Sequence, residues 1–237
     1  MRLHTLISMV EFDAEEQKSY PRYLQQHEGK ILLERAVNSL RTNEEGQSFT
    51  FMVSEQYERR YHVSDTIQQL EPSSTVIKVK KPTAGAVCTL LLSVDTLDES
   101  PVLVASHDQV LQTPIDAFLT YCKDKQADAG LITFDAIHPK WTYVGVDSEG
   151  VVYRAAGQQP ISRHASSGIY YFSNAKVFME HCNHYILKHY NSNEPFLTNL
   201  VLNEYILSNQ KVVALPIERD KIELYKKEKE LWTASMS

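Results

Sequence analysis

Hydrophobic positions along the chain follow two spacings. Short continuous apolar runs, such as LHTLISMV at residues 3–10 and VLVA at residues 102–105, are typical of strands buried on both faces of a sheet. Longer stretches, such as ILLERAVNSL at residues 31–40, repeat apolar residues every three or four positions and predict helices with one buried face. Strands are predicted at residues 3–10, 48–53, 74–79, 101–106 and 129–134, alternating with helices at 31–40, 63–70, 83–94 and 114–125. This alternation predicts an α/β fold, with a mostly parallel central sheet flanked by helices.

The pattern changes after residue 140. The stretch WTYVGVDSEGVVYRAA at residues 141–156 predicts two strands joined by an Asp-Ser-Glu-Gly turn, an antiparallel hairpin. Beyond it we predict a strand at 168–173, helices at 175–190 and 196–207, a strand at 211–217 and a last helix at 221–232. We expect a single domain over residues 1–237, with an antiparallel hairpin portion in its second half.

Composition narrows the possible partners. Hydrophobic residues make up 43% of the chain and charged residues 23%, and the net charge of −6 comes from interspersed acids and bases. This distribution argues against nucleic acid or an anionic membrane as partner. No apolar run approaches the roughly 20 residues that span a bilayer, and the N-terminus becomes acidic too soon for a signal peptide. Cys88, Cys122 and Cys182 are widely spaced and odd in number, which predicts reduced thiols and a cytoplasmic location.

One polar cluster follows a predicted central strand directly. Residues 101–106 lead straight into His107, Asp108 and Gln109. Ligands of open parallel sheets bind at the carboxyl ends of the strands, and a carboxylate there can hold Mg²⁺ together with substrate phosphates. The sequence therefore predicts Asp108 as a metal ligand, with an ordinary turn or capping aspartate as the alternative.

Other polar features predict less. Small residues from Thr83 onward enter a helix that Thr83 is placed to cap, and backbone N–H groups there could hold a phosphate or a base edge. His181 and His184 share a face of the predicted helix 175–190, but the missing third ligand favours a solvated face over a zinc site. KKEKE at 226–230 is predicted to be a solvated helix face. No Gly-x-Ser-x-Gly elbow is present, so nucleophilic hydrolysis has no support.

Six segments, in order and at suitable spacing, resemble sugar-phosphate nucleotidyltransferases, above all short bacterial members associated with capsule and lipopolysaccharide pathways. These segments are YPRYLQQHEGKILLERAV, TAGAVCTLLL, PVLVASHDQV, DAGLITFDAIHPKWTYVGVDSEGVVYRAA, QPISRHASSGIYYFSNAKVF and FLTNLVLNEYI. The resemblance implies the nucleotide-diphospho-sugar transferase fold, which GT-A glycosyltransferases share. It also implies transfer of a nucleotidyl group from a nucleoside triphosphate to a sugar phosphate with release of pyrophosphate, and it makes a homodimer plausible.

The resemblance also implies roles for individual residues. Asp108 matches the ligand of the catalytic Mg²⁺, and Arg22 takes the place of a lysine that contacts phosphate. The remaining positions are expected to bind nucleotide or sugar. The resemblance places Thr83, Ala84 and Gly85 in the loop that faces the base, and Ser167 and Gly168 at the wall that binds the sugar. It places Lys140, Trp141 and Tyr143 on the acceptor side. His107 and Gln109 are included as the neighbours of Asp108.

The chain departs from that family after the first strand. The family has a glycine-rich loop there, whose backbone N–H groups wrap the triphosphate. This chain has no glycine before Gly29, and the stretch carries Glu11, Asp13, Glu15 and Glu16. Each carboxylate close to a phosphate would cost about 1 kcal/mol or more. Two further differences are Gly157 and Gln158 in place of a Glu-Lys pair, and a C-terminus where only Glu218 or Asp220 could act as a second metal ligand.

Three hypotheses follow. The first is a divergent nucleotidyltransferase, in which Arg22 and Lys18 neutralise phosphate and Asp108 holds Mg²⁺. The second is a catalytically inactive relative that acts as a binding or regulatory protein, which the acidic replacement of the glycine-rich loop favours. The third is a GT-A-type glycosyltransferase, although such enzymes usually carry Asp-x-Asp where this chain has Ser106-His107-Asp108. The order of the six segments favours the first, and whether the chain is an enzyme stays open at this point.

Overall fold

The protein is described by a computed structural model that covers residues 2–10, 20–43 and 45–225. Its helices are α1 (Leu32–Ser39), α2 (Glu55–Tyr61), α3 (Val63–Leu70), α4 (Ala86–Leu90), α5 (Ile115–Asp124), α6 (Ala175–His189) and α7 (Thr198–Leu207). Its strands are β1 (Leu3–Ser8), β2 (Gln26–His27), β3 (Lys30–Ile31), β4 (Gln47–Ser54), β5 (Thr75–Val79), β6 (Val102–Ser106), β7 (Gln109–Leu111), β8 (Ala129–Asp135), β9 (Tyr143–Val146), β10 (Val152–Ala156), β11 (His164–Phe172), β12 (Val212–Ile217) and β13 (Ile222–Leu224).

The central sheet has nine strands and is mostly parallel. Across it the order is β5-β4-β1-β6-β11-β8-β12, and the β9–β10 hairpin joins through β9, which pairs with β11. Strands β5, β4, β1 and β6 are parallel neighbours, as are β8 and β12, whereas β11 runs antiparallel to β6 and β8. The predicted fold class is therefore confirmed, including the antiparallel hairpin in the second half of the chain.

Both faces of the sheet are buried, which explains the continuous apolar runs. Successive side chains of a strand point to opposite faces. In β1, Ile7 packs in a cluster that includes Val37 of α1, whereas Leu6 packs in a second cluster on the other face that includes Leu90 of α4. All four are fully buried or nearly so. A strand covered by helices on both sides has no polar face to show.

The β9–β10 hairpin is held to α7 by two asparagine side chains, which we call the amide clamp (Asn199 and Asn203). Nδ2 of Asn199 donates to the carbonyls of Tyr143 (3.1 Å) and Ala156 (2.9 Å). Asn203 accepts from the backbone N–H of Ala155 at 2.8 Å and donates to its carbonyl at 3.0 Å. Because the two residues are four apart, they lie on the same face of α7.

Two sequence predictions are corrected, and several short elements were missed. Ile222–Leu224 form β13 rather than the start of a last helix, and pair antiparallel with β7. The rest of that predicted helix, including KKEKE, lies outside the described residues. His181 is buried rather than solvated, because its ring packs 4.3 Å from Tyr205 and its Nε2 lies 2.6 Å from Oε1 of Gln210. Helix α2 and the short strands β2, β3 and β7 were not predicted.

The cysteines form no disulfide. Cys122 and Cys182 are buried and Cys88 is partly buried. Burial raises the pKa of the Cys122 thiol to about 12, so this group stays protonated and unreactive at neutral pH. No helix within the described ranges is both long and apolar enough to cross a membrane.

Candidate active site

Asp108 lies in a two-residue turn between β6 and β7, at the carboxyl edge of the sheet. The neighbouring strand β1 ends at the same level, since Ser8 is the register partner of Ser106. His107, with only 8% of its surface exposed, fastens the turn to that strand: its Nδ1 lies 3.1 Å from the carbonyl oxygen of Ser8. Its ring also packs edge-on against Tyr23 at 5.1 Å. Through these contacts His107 stabilises the turn that carries Asp108.

Gln109 and Gly168, both predicted site residues, are brought together by a bulge in β11. The register of β11 against β8 shifts between Ser166 and Tyr170, and Gly168 adopts a φ of +89° there. A Cβ at Gly168 would lie 2.0 Å from Nε2 of Gln109, which is itself almost fully buried. Glycine is therefore required both for the backbone conformation and for the close approach. Ser167 is buried beside it, and its hydroxyl accepts from the N–H of Ile169 at 3.2 Å.

Hydrogen bonds of the Tyr225 backbone connect Arg22 to the Asp108 turn, and the sequence did not predict a role for Tyr225. The N–H of Tyr225, just after β13, donates to the carbonyl of Asp108 at 2.9 Å. Nη1 of Arg22 donates to the carbonyl of Tyr225. The two predicted catalytic residues are thus joined through one peptide segment. The alternating Ile-Glu-Leu-Tyr pattern at 222–225 was the available signal, because period two indicates a strand.

The loop Thr83–Gly85, which the sequence predicts to face a nucleotide base, is anchored on the backbone of Phe196. The N–H of Phe196 donates to the carbonyl of Ala84 at 3.0 Å, and the carbonyl of Phe196 accepts from Val87 at 3.1 Å. Gly85 has a φ of +148°, and a Cβ there would lie 2.3 Å from the Phe196 nitrogen. The loop follows β5, which is three strand spacings, or about 14 Å, from β6 on the same edge of the sheet.

Thr83 does not cap the helix, contrary to the prediction. Gly85 occupies the N-cap position of α4, and no side chain makes a capping hydrogen bond there. The Thr83 hydroxyl instead donates to the carbonyl of Gly85 at 3.0 Å and lies 2.6 Å from Oγ1 of Thr89. Thr83 therefore stabilises the loop from within.

The residues expected on the acceptor side divide between core and surface. Trp141 is 6% exposed and packs edge-on against Phe134 at 5.2 Å. Tyr143 is fully buried and donates its hydroxyl to the carbonyl of His138 at 2.7 Å. Lys140 is exposed, and its Nζ lies 5.1 Å from the centre of the Trp141 ring. Of the three, only Lys140 presents its side chain largely to solvent.

No second carboxylate from the C-terminal segment is placed at Asp108 by the described residues. Glu218 and Asp220 flank a turn whose Lys221 carbonyl accepts from the N–H of Gln112, at the far end of the β7–β13 pair. Nowhere in the described ranges do three His, Cys, Asp or Glu side chains form a group that could hold a metal ion. A single carboxylate fits Mg²⁺ only where substrate phosphates and water complete the coordination. Asp108 is compatible with that mode.

Of the two remaining differences from the family pattern, the structure describes the residues of one, Gly157 and Gln158, but not those of the acidic stretch after β1. The acidic stretch with Glu11, Asp13, Glu15 and Glu16, together with Lys18, lies outside the described residues. Gly157 and Gln158 lie after β10, and a Cβ at Gly157 would meet nothing within 4 Å. Gly157 is thus not required by packing, in contrast to Gly85 and Gly168.

Comparison with solved structures agrees with this architecture. A nucleoside-diphosphate-sugar pyrophosphorylase from Vibrio cholerae superposes with a TM-score of 0.77 at 19% identity, over 94% of this chain and 95% of that one. The inositol-1-phosphate CTP transferase from T. maritima gives a TM-score of 0.70 at 16% identity, over 91% and 86%. A UDP-glucose pyrophosphorylase bound to UDP-glucose gives 0.69 at 15%, over 92% and 91%. At these identities the likeness shows the fold.

A search among curated proteins finds no significant match. A sequence model of the family described as nucleotidyl transferase, however, matches residues 32–221, which is well over half of the chain. The match begins after the glycine-free stretch and includes both the Asp108 turn and the Thr83–Gly85 loop. The resemblance stated from the six segments is therefore confirmed, and the chain belongs to the nucleotidyl transferase family.

Proposed function

We propose that this protein transfers a nucleotidyl group from a nucleoside triphosphate to a sugar phosphate or a related phosphate and releases pyrophosphate. The observation that carries the proposal is the junction of Arg22 and Asp108 through Tyr225 at the carboxyl edge of the sheet, in a chain of the nucleotidyl transferase family. Two of the similar structures are described as pyrophosphorylases of nucleotide sugars, and a third as an inositol-1-phosphate CTP transferase. Those descriptions support a phosphorylated sugar or polyol as acceptor.

The reaction needs positioning and charge neutralisation more than covalent chemistry from the protein. An acceptor phosphate oxygen attacks the α-phosphorus of the triphosphate, the bond to the bridging oxygen of the β-phosphate breaks, and pyrophosphate leaves with that oxygen. Arg22 suits the phosphate oxygens because its guanidinium stays charged and donates in a planar fork. The Asp108 carboxylate would hold Mg²⁺, which neutralises phosphate charge when bound. Lys140 is the exposed cation on the acceptor side.

The setting we propose is the cytoplasm, in a pathway that supplies activated sugars to capsule or lipopolysaccharide, with the protein acting as a homodimer. Three cysteines without a disulfide support the reducing compartment. The pathway and the dimer rest on the resemblance of the six segments to short bacterial nucleotidyltransferases.

A catalytically inactive binding or regulatory protein is the second candidate. The observation that favours it is the chain after β1, which has no glycine before Gly29 and four carboxylates where the family wraps triphosphate with glycine-rich backbone. A GT-A-type glycosyltransferase is less favoured, since the family match is to nucleotidyl transferases and Asp108 has no partner aspartate two residues earlier.

The test is pyrophosphate release with each nucleoside triphosphate, Mg²⁺ and a panel of sugar 1-phosphates. We expect one pairing to give turnover in the wild type, and Asp108→Asn to reduce it by about 10²–10³-fold or more, the usual effect of losing one electrostatic stabiliser. Asp65→Asn is the matched control, because Asp65 lies on α3 with 75% of its side chain exposed.

Three outcomes separate the candidates. Turnover that survives Asp108→Asn unchanged would contradict the role of Asp108. Nucleotide-dependent thermal stabilisation without pyrophosphate release with any pairing would favour the inactive relative. Consumption of a nucleotide sugar without pyrophosphate chemistry would favour the glycosyltransferase.

A further inference from the structure

The main chain of Tyr225 bonds to both predicted catalytic residues at once. Its N–H donates to the Asp108 carbonyl at 2.9 Å, and its own carbonyl accepts from Nη1 of Arg22. A guanidinium is rigid and planar, so holding one nitrogen restricts the orientation of the whole group. The position of Tyr225 therefore sets where the Arg22 head group lies relative to the Asp108 turn.

The strand that leads into Tyr225 needs further contacts to stay in place. Strand β13 has three residues, and among the described residues it pairs with β7 alone, in a separate two-stranded sheet. A ladder of two short strands is marginally stable by itself in water. Something other than the ladder must hold Tyr225.

Three side chains supply that support, one each from α1, from β13 and from the residue after β13, and we call them the C-terminal clasp (Arg35, Glu223 and Tyr225). Nη1 of Arg35 donates to the Tyr225 hydroxyl at 2.6 Å, and Nη2 donates to Oε1 of Glu223 at 2.7 Å. The Tyr225 hydroxyl in turn donates to Oε2 of Glu223, which closes a ring of three bonds. Only 11% of the Arg35 side chain is exposed. The Tyr225 ring also packs against His27 at 4.7 Å.

We propose that Tyr225 is a positioning residue for nucleotidyl transfer: the C-terminal clasp holds its side chain so that its backbone orients Arg22 toward phosphate beside Asp108. This inference rests on the proposed function and names a residue that acts through two others. Tyr225 itself touches no reacting atom in this proposal. Its effect should be seen in the binding and turnover of the triphosphate, and should depend on Arg22.

The primary variant is Tyr225→Phe, which removes the hydroxyl but keeps the ring and the main chain. Loss of a hydrogen bond to a charged group is expected to lower kcat/KM for the triphosphate about 10-fold. Arg35→Lys is a second variant that keeps the charge but cannot bond both partners in a fork, and it should give a similar loss. Tyr153→Phe is the matched control, because Tyr153 is 61% exposed on β10, outside the C-terminal clasp.

A double-mutant cycle separates positioning from a general structural role. If Tyr225 acts through Arg22, then adding Tyr225→Phe to Arg22→Lys should lower kcat/KM by no more than roughly 2-fold beyond Arg22→Lys alone. Multiplied losses would show that the two residues act independently and would overturn the proposal. An unchanged kcat/KM in Tyr225→Phe would overturn it as well.

Hydrogen–deuterium exchange gives a readout that does not require turnover. Peptides covering residues 107–112 and 221–225 should exchange faster in Tyr225→Phe and Arg35→Lys, and at the wild-type rate in Tyr153→Phe. Unchanged exchange would show that the clasp does not hold β13. If the wild type binds triphosphate but gives no turnover, the proposed function is wrong. The double-mutant cycle is then measured on the Kd for triphosphate, and it still tests whether Tyr225 acts through Arg22. Triphosphate that neither binds nor reacts would overturn both.

Discussion

The β7–β13 pair and the β9–β10 hairpin are both antiparallel additions beside a parallel sheet, yet different chemistry fastens each of them. The C-terminal clasp holds β13 through an arginine, a carboxylate and a phenol, and 35% of the Glu223 side chain is exposed. The amide clamp holds the hairpin through neutral side chains, and Asn199 is 1% exposed. Charged bonds near the surface respond to pH and salt, whereas buried neutral ones do not. We therefore expect the stability of the β7–β13 pair beside Asp108 to change with pH and salt, and that of the β9–β10 hairpin to stay constant.

Gly168 links the two regions, and its replacement should have the largest effect. It lies in β11, which pairs with β9 of the hairpin and also contacts Gln109 of β7. In Gly168→Ala the new Cβ would overlap the Gln109 amide at a positive φ, which we expect to destabilise the fold by about 3 kcal/mol. Urea unfolding measures this.

The matched control is Gly157→Ala, since a Cβ there meets nothing within 4 Å. Combining Gly168→Ala with Gln109→Ala should recover part of the loss by relieving the overlap. An equal denaturation midpoint for Gly168→Ala and Gly157→Ala would show that the two regions are not tightly joined at this point.

Asn199→Ala tests the amide clamp. It leaves the buried carbonyls of Tyr143 and Ala156 without their side-chain donor, which should cost about 2 kcal/mol of unfolding free energy. Asn183→Ala, at an exposed position of α6, serves as control. The loss in Asn199→Ala should be the same at high and low salt, and a strong salt dependence would argue against a neutral clamp.

Glu223→Gln tests the C-terminal clasp and should have the smallest effect. Partial burial alone would raise the pKa of Glu223, but hydrogen bonds from Tyr225 and Arg35 outweigh it and lower the pKa below its ordinary 4.5. A lowered pKa means that the clasp contributes stability above about pH 4.5 and loses it as the pH falls through the folded-state value. For a partly exposed pair this contribution is below about 1 kcal/mol.

The stability difference between wild type and Glu223→Gln should therefore be present at pH 7, shrink below pH 4.5 and shrink also in about 1 M salt. Unfolding curves across pH and salt measure it, with Asn199→Ala as the variant whose loss stays constant. A difference that grew on acidification would reverse the sign and contradict the account of the clasp.

Much of the fold was predictable because its elements carry their signal locally. The strand at residues 102–106 and the helix at residues 63–70 were predicted almost to the residue. A strand buried on both faces is a continuous apolar run, and a helix buried on one face repeats apolar residues every three or four positions. The hairpin turn was equally local: the Asp147 carboxylate accepts from the N–H groups of Glu149 and Val151, both at 2.9 Å. The position of Asp108 after a buried strand needed only the sequence.

Other features depend on partners far away in the chain. Residues 222–224 were predicted as the start of a helix over 221–232, because three alternating residues are too few to outweigh that longer prediction. Pairing with β7, more than a hundred residues earlier, makes them a strand. His181 was predicted to lie on a solvated helix face, but contacts with Tyr205 and Gln210 bury it. Trp141 and Tyr143 were expected to line the acceptor side, but both are buried. Trp141 packs against Phe134, and the Tyr143 hydroxyl donates to the carbonyl of His138.

The sequence by itself determined the alternation of strands and helices, the antiparallel hairpin and a carboxylate at the end of a central strand, because these follow from the chemistry of neighbouring residues. The tertiary structure alone decided which glycines are indispensable and how Arg22 is brought to Asp108. Gly85 and Gly168 are required by Phe196 and Gln109, and Arg22 meets Asp108 through Tyr225. Each of these contacts joins segments distant in the chain, and no local pattern encodes a distance between them.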